Sequence, residues 1–382
     1  MITALMLVLA GLSLAVWVVL LFFRSRFWLA DQRLEEAGDL TTWPDVAAII
    51  PARNEAETIA KVISSLLNQD YPGEVRVIVV DDNSDDGTVS ATGASEHLRV
   101  ISGKSLEPGW SGKLWAISQG IESIDDVLSG SAYVLLTDAD IVHDPGNLKR
   151  LIFKAENEGR QLVSLMVKLR SESFWERWLI PAFVFFFQKL YPFPAVNDPA
   201  RPTAAAAGGC MLVHRDTLAD VGGIAAIRGE LIDDCALARL IKAYGSIWLG
   251  LARRTRSLRA YNSLSEIWDM VARTAFMQLN HSVSELLSTI MGMVVIYLIP
   301  PAAVISGMMM DGEYLMAMGG VAWGFMVAAY APTLALYGFS PLHAFALPLV
   351  AGLYSLMTIS SALRHWRGRG VAWKGRQYGS NG

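Results

Sequence analysis

Two stretches of the chain are almost without charge. Residues 1–23 hold no Asp, Glu, Lys or Arg, and residues 286–363 hold only Asp311 and Glu313, both in one short break. A helix needs about 20 apolar residues to cross the hydrocarbon core, because an unpaired backbone group there costs several kcal/mol. Residues 1–23 meet that length. A cleaved signal peptide would want a basic start, a shorter apolar core and a small-residue cleavage site, whereas this run ends in Arg24 and Arg26, so an uncleaved anchor is expected. The second stretch divides into 286–310, 315–337 and 342–363, a plain count of three spans. Arg24 and Arg26 place the intervening part on the cytoplasmic side. Three crossings from there would put the basic tail of residues 364–382, with Arg364, Arg367, Arg369, Lys374 and Arg376, outside, against the positive-inside tendency. Pro300-Pro301, Pro332 and Pro348 allow kinked or re-entrant segments, so two to three spans are expected. The chain thus reads as a multi-pass protein of the cell inner membrane with residues 24–285 in the cytoplasm.

Within that part, 45–50 is an apolar run of strand length ended by Pro51, and 55–69 shows apolar residues at helical spacing (Ile59, Val62, Ile63, Leu66, Leu67). Further strands are expected at 75–80, 98–102 and 133–137, with helical patterns around 88–96, 113–124 and 145–157 between them. This alternation predicts an open, mostly parallel, Rossmann-like α/β sheet, whose ligands sit beyond the carboxyl ends of its strands. The aromatic segment 175–190 is uncharged over residues 178–188, too short to span. It reads either as a buried core helix or as a helix lying in the plane of the lipid interface.

Composition narrows the function. Over the chain 32 Lys and Arg face 36 Asp and Glu, which leaves no electrostatic footprint for nucleic acid. Cys210 and Cys235 offer neither a disulfide framework nor a zinc spacing. His143, His214 and His281 lack partner spacing for a metal or a triad and read as surface or locally hydrogen-bonded residues.

The polar residues after the strands carry the chemistry. Pro51-Ala-Arg53-Asn-Glu55 follows the first strand, Asp81-Asp82-Asn-Ser-Asp-Asp-Gly-Thr88 the second and Asp138-Ala-Asp140 the fourth. Asp85 and Asp86 before Thr88 read as turn and cap residues. Adjacent Asp81 and Asp82 repel each other unless hydrogen-bonded or near a cation. If Asp138 and Asp140 continue the strand, they share one side and can converge on a hard divalent ion, Mg²⁺ or Mn²⁺, that keeps positions open for phosphates.

These motifs, followed by Gly208-Gly209-Cys-Met-Leu-Val-His-Arg215 and Ile232-Asp233-Asp234, resemble the family 2 inverting glycosyltransferases with a GT-A fold over residues 45–280. Gly109-Trp-Ser-Gly-Lys-Leu-Trp-Ala116, Asp234-Cys-Ala-Leu-Ala238 and Ala272-Arg-Thr-Ala-Phe276 are similar to the hopanoid-biosynthesis-associated membrane branch. The resemblance implies transfer of a sugar from a nucleotide-sugar, a UDP-sugar, to a membrane lipid of hopanoid or polyprenyl type. It implies that Asp82, with Asp81 beside it, accepts hydrogen bonds from the uracil or ribose, walled by Pro51, Arg53 and Glu55. Asp140, helped by Asp138, would hold the metal at the diphosphate. Lys113 would meet the same phosphates, or else face solvent at a helix start. Asp234 would be the general base, with Asp233 as the alternative. Processive relatives carry Gln/Arg-x-x-Arg-Trp after the base; Met270-Val-Ala-Arg273-Thr274 keeps only the arginine. Arg273 would meet the leaving diphosphate, or only sit on the polar face of one amphipathic helix over 264–287.

Two other readings stand beside this one. A non-catalytic sugar-nucleotide-binding or assembly protein would not need Asp138, Asp140 and Asp234 together. A phosphatase using Asp138-x-Asp140 would leave the Asp81-Asp82 loop without a role.

Overall fold

The structure is a computed structural model that describes residues 2–368, 371–373 and 376–378; Arg369 and Lys374 of the basic tail lie outside them. Eight strands form one sheet: β1 (Val46–Ala52), β2 (Val75–Asp81), β3 (Leu98–Ser102), β4 (Tyr133–Thr137), β5 (Ile141–Val142), β6 (Leu162–Lys168), β7 (Cys210–His214) and β8 (Ile247–Ser257), in the order β3-β2-β1-β4-β7-β6-β8-β5. The parallel expectation holds for β3-β2-β1-β4 and for β6 with β8. β7 runs antiparallel between β4 and β6, which makes the sheet mixed. All seven residues of β1 are buried, as a central strand with covered faces requires.

Several boundaries differ from the sequence expectation. Pro51 does not end the first strand: it stays in register opposite Val80, and Ala52 opposite Asp81. Pairing with β4 stops at Ile49, so the missing N–H at Pro51 breaks no ladder on that side. The helix expected over 55–69 spans Ile59–Leu67, and that over 88–96 shrinks to Thr88–Ala91. The helix expected over 264–287 is two helices, Leu264–Thr274 and Val283–Met293. Asn280 and His281 lie between them at φ 50° and 54°, left-handed values that no continuous helix accepts, and Ser282 caps the second helix by accepting from the Glu285 amide at 3.3 Å.

Four helices are long and apolar enough to cross a membrane: Thr3–Phe22, Val283–Met309, Glu313–Tyr337 and Pro341–Trp366. The first and second meet where Trp17 Nε1 donates to the Ile296 carbonyl at 2.8 Å and its ring meets Tyr297 edge-on at 5.8 Å. The segment expected over 175–190 is a helix of 17 residues, Phe174–Leu190. Ser173 and Glu176 form a capping box at its start. It lies between sheet domain and membrane helices: Phe185 packs on Tyr330 at 5.2 Å, and Tyr354 Oη donates to the Leu179 carbonyl at 2.9 Å. Glu176, fully buried, also takes the Tyr261 amide at 2.6 Å and Arg170 at 2.9 Å, tying this helix to the loop after β8.

Candidate active site

A cavity of about 1680 Å³ opens beyond the carboxyl ends of β1 and β4 and continues down to the membrane helices. Pro51, Arg53, Glu55, Lys113, Asp138, Asp140, Asp233, Asp234 and Arg273 all line it. Asp81 and Asp82 do not. They are buried behind its wall, where Asp81 accepts from the Ser84 amide at 3.3 Å and the Asp82 carboxylate stands 3.7 Å from Arg53.

The loops after β1 and β2 brace each other. Asn54, at φ 53°, donates its amide to the Ser84 hydroxyl oxygen (3.0 Å) and accepts the Asp85 amide on its side-chain oxygen (3.1 Å). Thr88 Oγ1 accepts from the Glu55 amide at 2.8 Å, and Asp86 accepts from the Ala56 and Thr88 amides at 3.0 Å each. Asp86 is thus a turn and cap residue, as its position predicts, and Arg53 and Glu55 stand on a fixed support.

Asp138 and Asp140 are not on a strand. β4 ends at Thr137 and the two carboxylates sit in the turn before β5, so they do not share one pleat face. The turn is pinned from below by His143, whose Nε2 lies 2.9 Å from Thr137 Oγ1 and whose Nδ1 lies 3.1 Å from Asn147 Nδ2. Thr137 spends its hydroxyl hydrogen on the Gly209 carbonyl (2.9 Å), so the ring carries its proton on Nε2. Burial pushes this imidazole down to about 4, which keeps it neutral.

Each carboxylate of the turn meets a cation. Lys113 Nζ lies 3.0 Å from Asp138 and 3.2 Å from Asp233, so it does not face solvent. Burial alone would lower this ammonium; Asp138, Asp233 and Asp234 outweigh it and hold it well above its ordinary range. Arg259 reaches Glu55 at 2.8 Å and Asp140 at 3.3 Å, and Ser257 donates to the same Asp140 oxygen at 2.7 Å. Burial and then Asp138 still raise the Asp140 carboxyl. Arg259 and Ser257 escaped the sequence reading because β8 was not recognised, its apolar half running into Arg253-Arg254-Thr255-Arg256. The rule that chemistry follows the strand would have found both.

Asp234 stands in the first turn of the helix Asp233–Tyr244. Its oxygens accept from the Gly208 amide at 2.9 Å and the Cys235 amide at 2.7 Å. Burial and then Asp233 push its carboxyl up to about 6 against the lowering pull of Lys113, a value suited to proton uptake near neutrality. A Cβ on Gly208 would come 3.2 Å from Lys113 Nζ and 3.5 Å from Asp234 Oδ2, so any larger residue in this turn would press on the lysine of the site.

The far wall is different in kind. Phe183 and Phe187 of the aromatic helix, with Met270, Phe276 and Met277, make it largely apolar. Arg273 is exposed on it, and His281 stacks on His365 at 4.2 Å. His281 is exposed, as its sequence context predicts, its amide donates to the Phe276 carbonyl at 3.1 Å, and its ring rests on another ring.

Comparison with known proteins bears on this geometry. Residues 47–222 match Glycosyl transferase family 2. Glycosyltransferase AglE of Haloferax volcanii is 31% identical over 32% of this chain and 39% of its own length. Beta-monoglucosyldiacylglycerol synthase of Trichormus variabilis is 30% identical over 35% of this chain and 29% of its own. The chain thus spans well under half the length of these curated relatives. Mannosyltransferase PcManGT from Pyrobaculum calidifontis, solved with GDP-Man and Mn²⁺, aligns over 96% of this chain and 99% of its own at 18% identity and a TM-score of 0.56, a likeness of fold. Residues 47–222 are thus a family 2 glycosyltransferase domain, and the fold is of the GT-A kind.

Proposed function

We propose that this protein is an inverting glycosyltransferase that moves a sugar from a nucleotide-sugar, a UDP-sugar, to a membrane lipid reached from the cytoplasmic face. One observation carries the reading: a single cavity joins the carboxylate turn and Asp234 to an apolar wall built on the aromatic and membrane helices. The name of the diacylglycerol-glucosylating relative supports a lipid acceptor, and the hopanoid or polyprenyl class follows from the resemblance of the motifs.

In this reading Asp234, held by two amides, takes the proton from the acceptor hydroxyl as its oxygen attacks the anomeric carbon from the face opposite the nucleotide. The C–O bond to the donor phosphate breaks and the diphosphate leaves with the bonding electrons. Asp140 and Asp138 would hold a divalent ion, Mg²⁺ or Mn²⁺. Their hard oxygens suit it, and burial that disfavours the charged form of Asp140 is what a bound cation relieves. When bound, the ion supplies charge neutralisation for the leaving diphosphate. Lys113 and Arg259, now on carboxylates, lie where they can add to it. Arg53, Glu55 and Pro51 bound the nucleotide end, with Asp82 and Asp81 behind them. Arg273 closes the site from the other wall, and Asp233 positions Lys113.

The test is release of UDP from UDP-sugars by the purified protein with a divalent ion, with and without lipid extract. Release that requires lipid supports transfer. Equal release without it overturns the lipid acceptor, and retention of the donor intact under every condition overturns the transferase reading.

A further inference from the structure

Away from the catalytic cavity, Arg24 and Arg26 follow the end of the first membrane helix, and Arg24 reaches the end of the aromatic helix that carries Lys189. Arg24 and Arg26 are exposed there, and Arg24 Nη2 donates to the carbonyls of Lys189 at 3.4 Å and Leu190 at 3.2 Å, closing the aromatic helix. This occupies the carbonyl end that would otherwise attract Lys189, and the Lys189 ammonium turns instead toward the membrane helices. Its Nζ lies 3.0 Å from Tyr297 Oη, 4.7 Å above the Tyr297 ring and 5.4 Å above Phe186. Tyr297 belongs to a π-helical turn, Val294–Leu298, an irregularity that recurs at functional positions. Among the described residues none of the three cations pairs with a carboxylate. Burial, and then Arg24, push Lys189 down to about 8, the mark of a cation whose surroundings offer it no countercharge.

The place is the membrane boundary. Phe22 and Phe23 are 65% and 75% exposed just before Arg24, and Leu190 is 46% exposed just after Lys189. Apolar side chains are thus presented to acyl chains at the level where cations are presented to headgroups. We infer that Arg24, Arg26 and Lys189 form a binding site for the phosphate of an anionic phospholipid, seated between the first membrane helix, the carboxyl end of the aromatic helix and the π-turn. The phosphate supplies the missing countercharge, and one acyl chain lies against Phe22, Phe23 and Leu190. The site is independent of the transfer reaction, because none of the three residues lines the catalytic cavity.

Thermal unfolding of the full chain in detergent micelles doped with phosphatidylglycerol, with phosphatidylcholine, or with inorganic phosphate alone tests it. Wild type is expected to gain about 2 °C or more from phosphatidylglycerol over phosphatidylcholine, the shift that a ligand well above its Kd produces, and nothing from phosphate. Lys189→Met is expected to lose most of that gain, and Lys189→Arg to keep it. Arg26→Gln, an exposed change that leaves packing intact, is expected to lose part of it and covers the case in which Lys189→Met does not fold. An equal response to the two lipids, a full gain retained in Arg26→Gln and Lys189→Met, or an equal gain from phosphate alone overturns the proposal.

Discussion

The two walls of the cavity use opposite physics. On the sheet wall every titratable group is engaged: Lys113 with Asp138 and Asp233, Arg259 with Glu55 and Asp140, Asp234 with two amides. On the membrane wall Phe183, Phe187, Met270, Phe276 and Met277 offer apolar area, with Arg273 and the Asp269–Arg364 ion pair at 2.7 Å beside it. A preorganised charged wall favours a ligand whose charge changes during reaction, since its dipoles need no reorganisation at that moment. An apolar wall favours a ligand recognised by shape and burial. In the proposed reading the difference between the walls is a division of labour between donor and acceptor, and substitutions should separate the two.

The largest effect is expected from Asp140→Ala, which removes a partner of Arg259 and, in the proposed reading, a ligand of the divalent ion at the donor diphosphate. Turnover should fall below detection and nucleotide binding, followed by titration calorimetry, should lose its dependence on divalent ion. Unchanged ion dependence would remove Asp140 from the metal site. Asp234→Asn keeps shape and removes basicity; donor binding should survive while transfer drops by roughly 10²- to 10⁴-fold, the range of a lost general base. Collapse of nucleotide binding instead would move Asp234 to the donor site and leave Asp233 as the base.

The same residue sets a pH dependence. With its carboxyl at about 6, transfer should rise with pH through that value and level off above it. Its folded value lies above its unfolded one, so the group stabilises the fold in its protonated form. That contribution is full near pH 4 and is lost as pH rises through 6. Asp234→Asn should therefore unfold at a higher temperature than wild type at pH 7.5, the two converging toward pH 4. A constant offset would contradict the burial of a charge there.

Smaller effects come from shape. Gly208→Ala presses on Lys113 and Asp234 by a few tenths of an ångström and should lower kcat by roughly tenfold to a hundredfold while the fold persists in circular dichroism. Phe187→Ala, on the apolar wall, should raise the KM for lipid by about tenfold and leave nucleotide affinity unchanged. Its neighbour Phe186 packs instead on Tyr297 at 5.5 Å and Tyr354 at 5.0 Å, away from the cavity. Equal loss of nucleotide affinity in Phe187→Ala would end the division between the walls.

The sheet wall was largely legible in the sequence because its cost is local. Asp81-Asp82 and Asp138-x-Asp140 are repulsive neighbours that only a strand end with compensating partners tolerates, and the alternation of apolar runs placed those ends on one edge. The compensation was less legible, since Lys113, Arg259 and Gly208 reach these carboxylates across long stretches of chain. The membrane wall was hidden for the same reason. Phe187, Met277 and His365 share a surface only because the chain breaks at Asn280 and His281, and asparagine and histidine in left-handed backbone leave no periodic trace. Pro51 misled by a general rule, since its ladder partner exists on one side alone.

The most direct test is mass spectrometry of lipid extracts after membranes containing the protein are incubated with isotope-labelled UDP-sugars and a divalent ion. The expected result is label in a membrane lipid for wild type and its near absence for Asp234→Asn at equal nucleotide affinity. Label in a soluble sugar or in a protein, with none in lipid, would contradict the account.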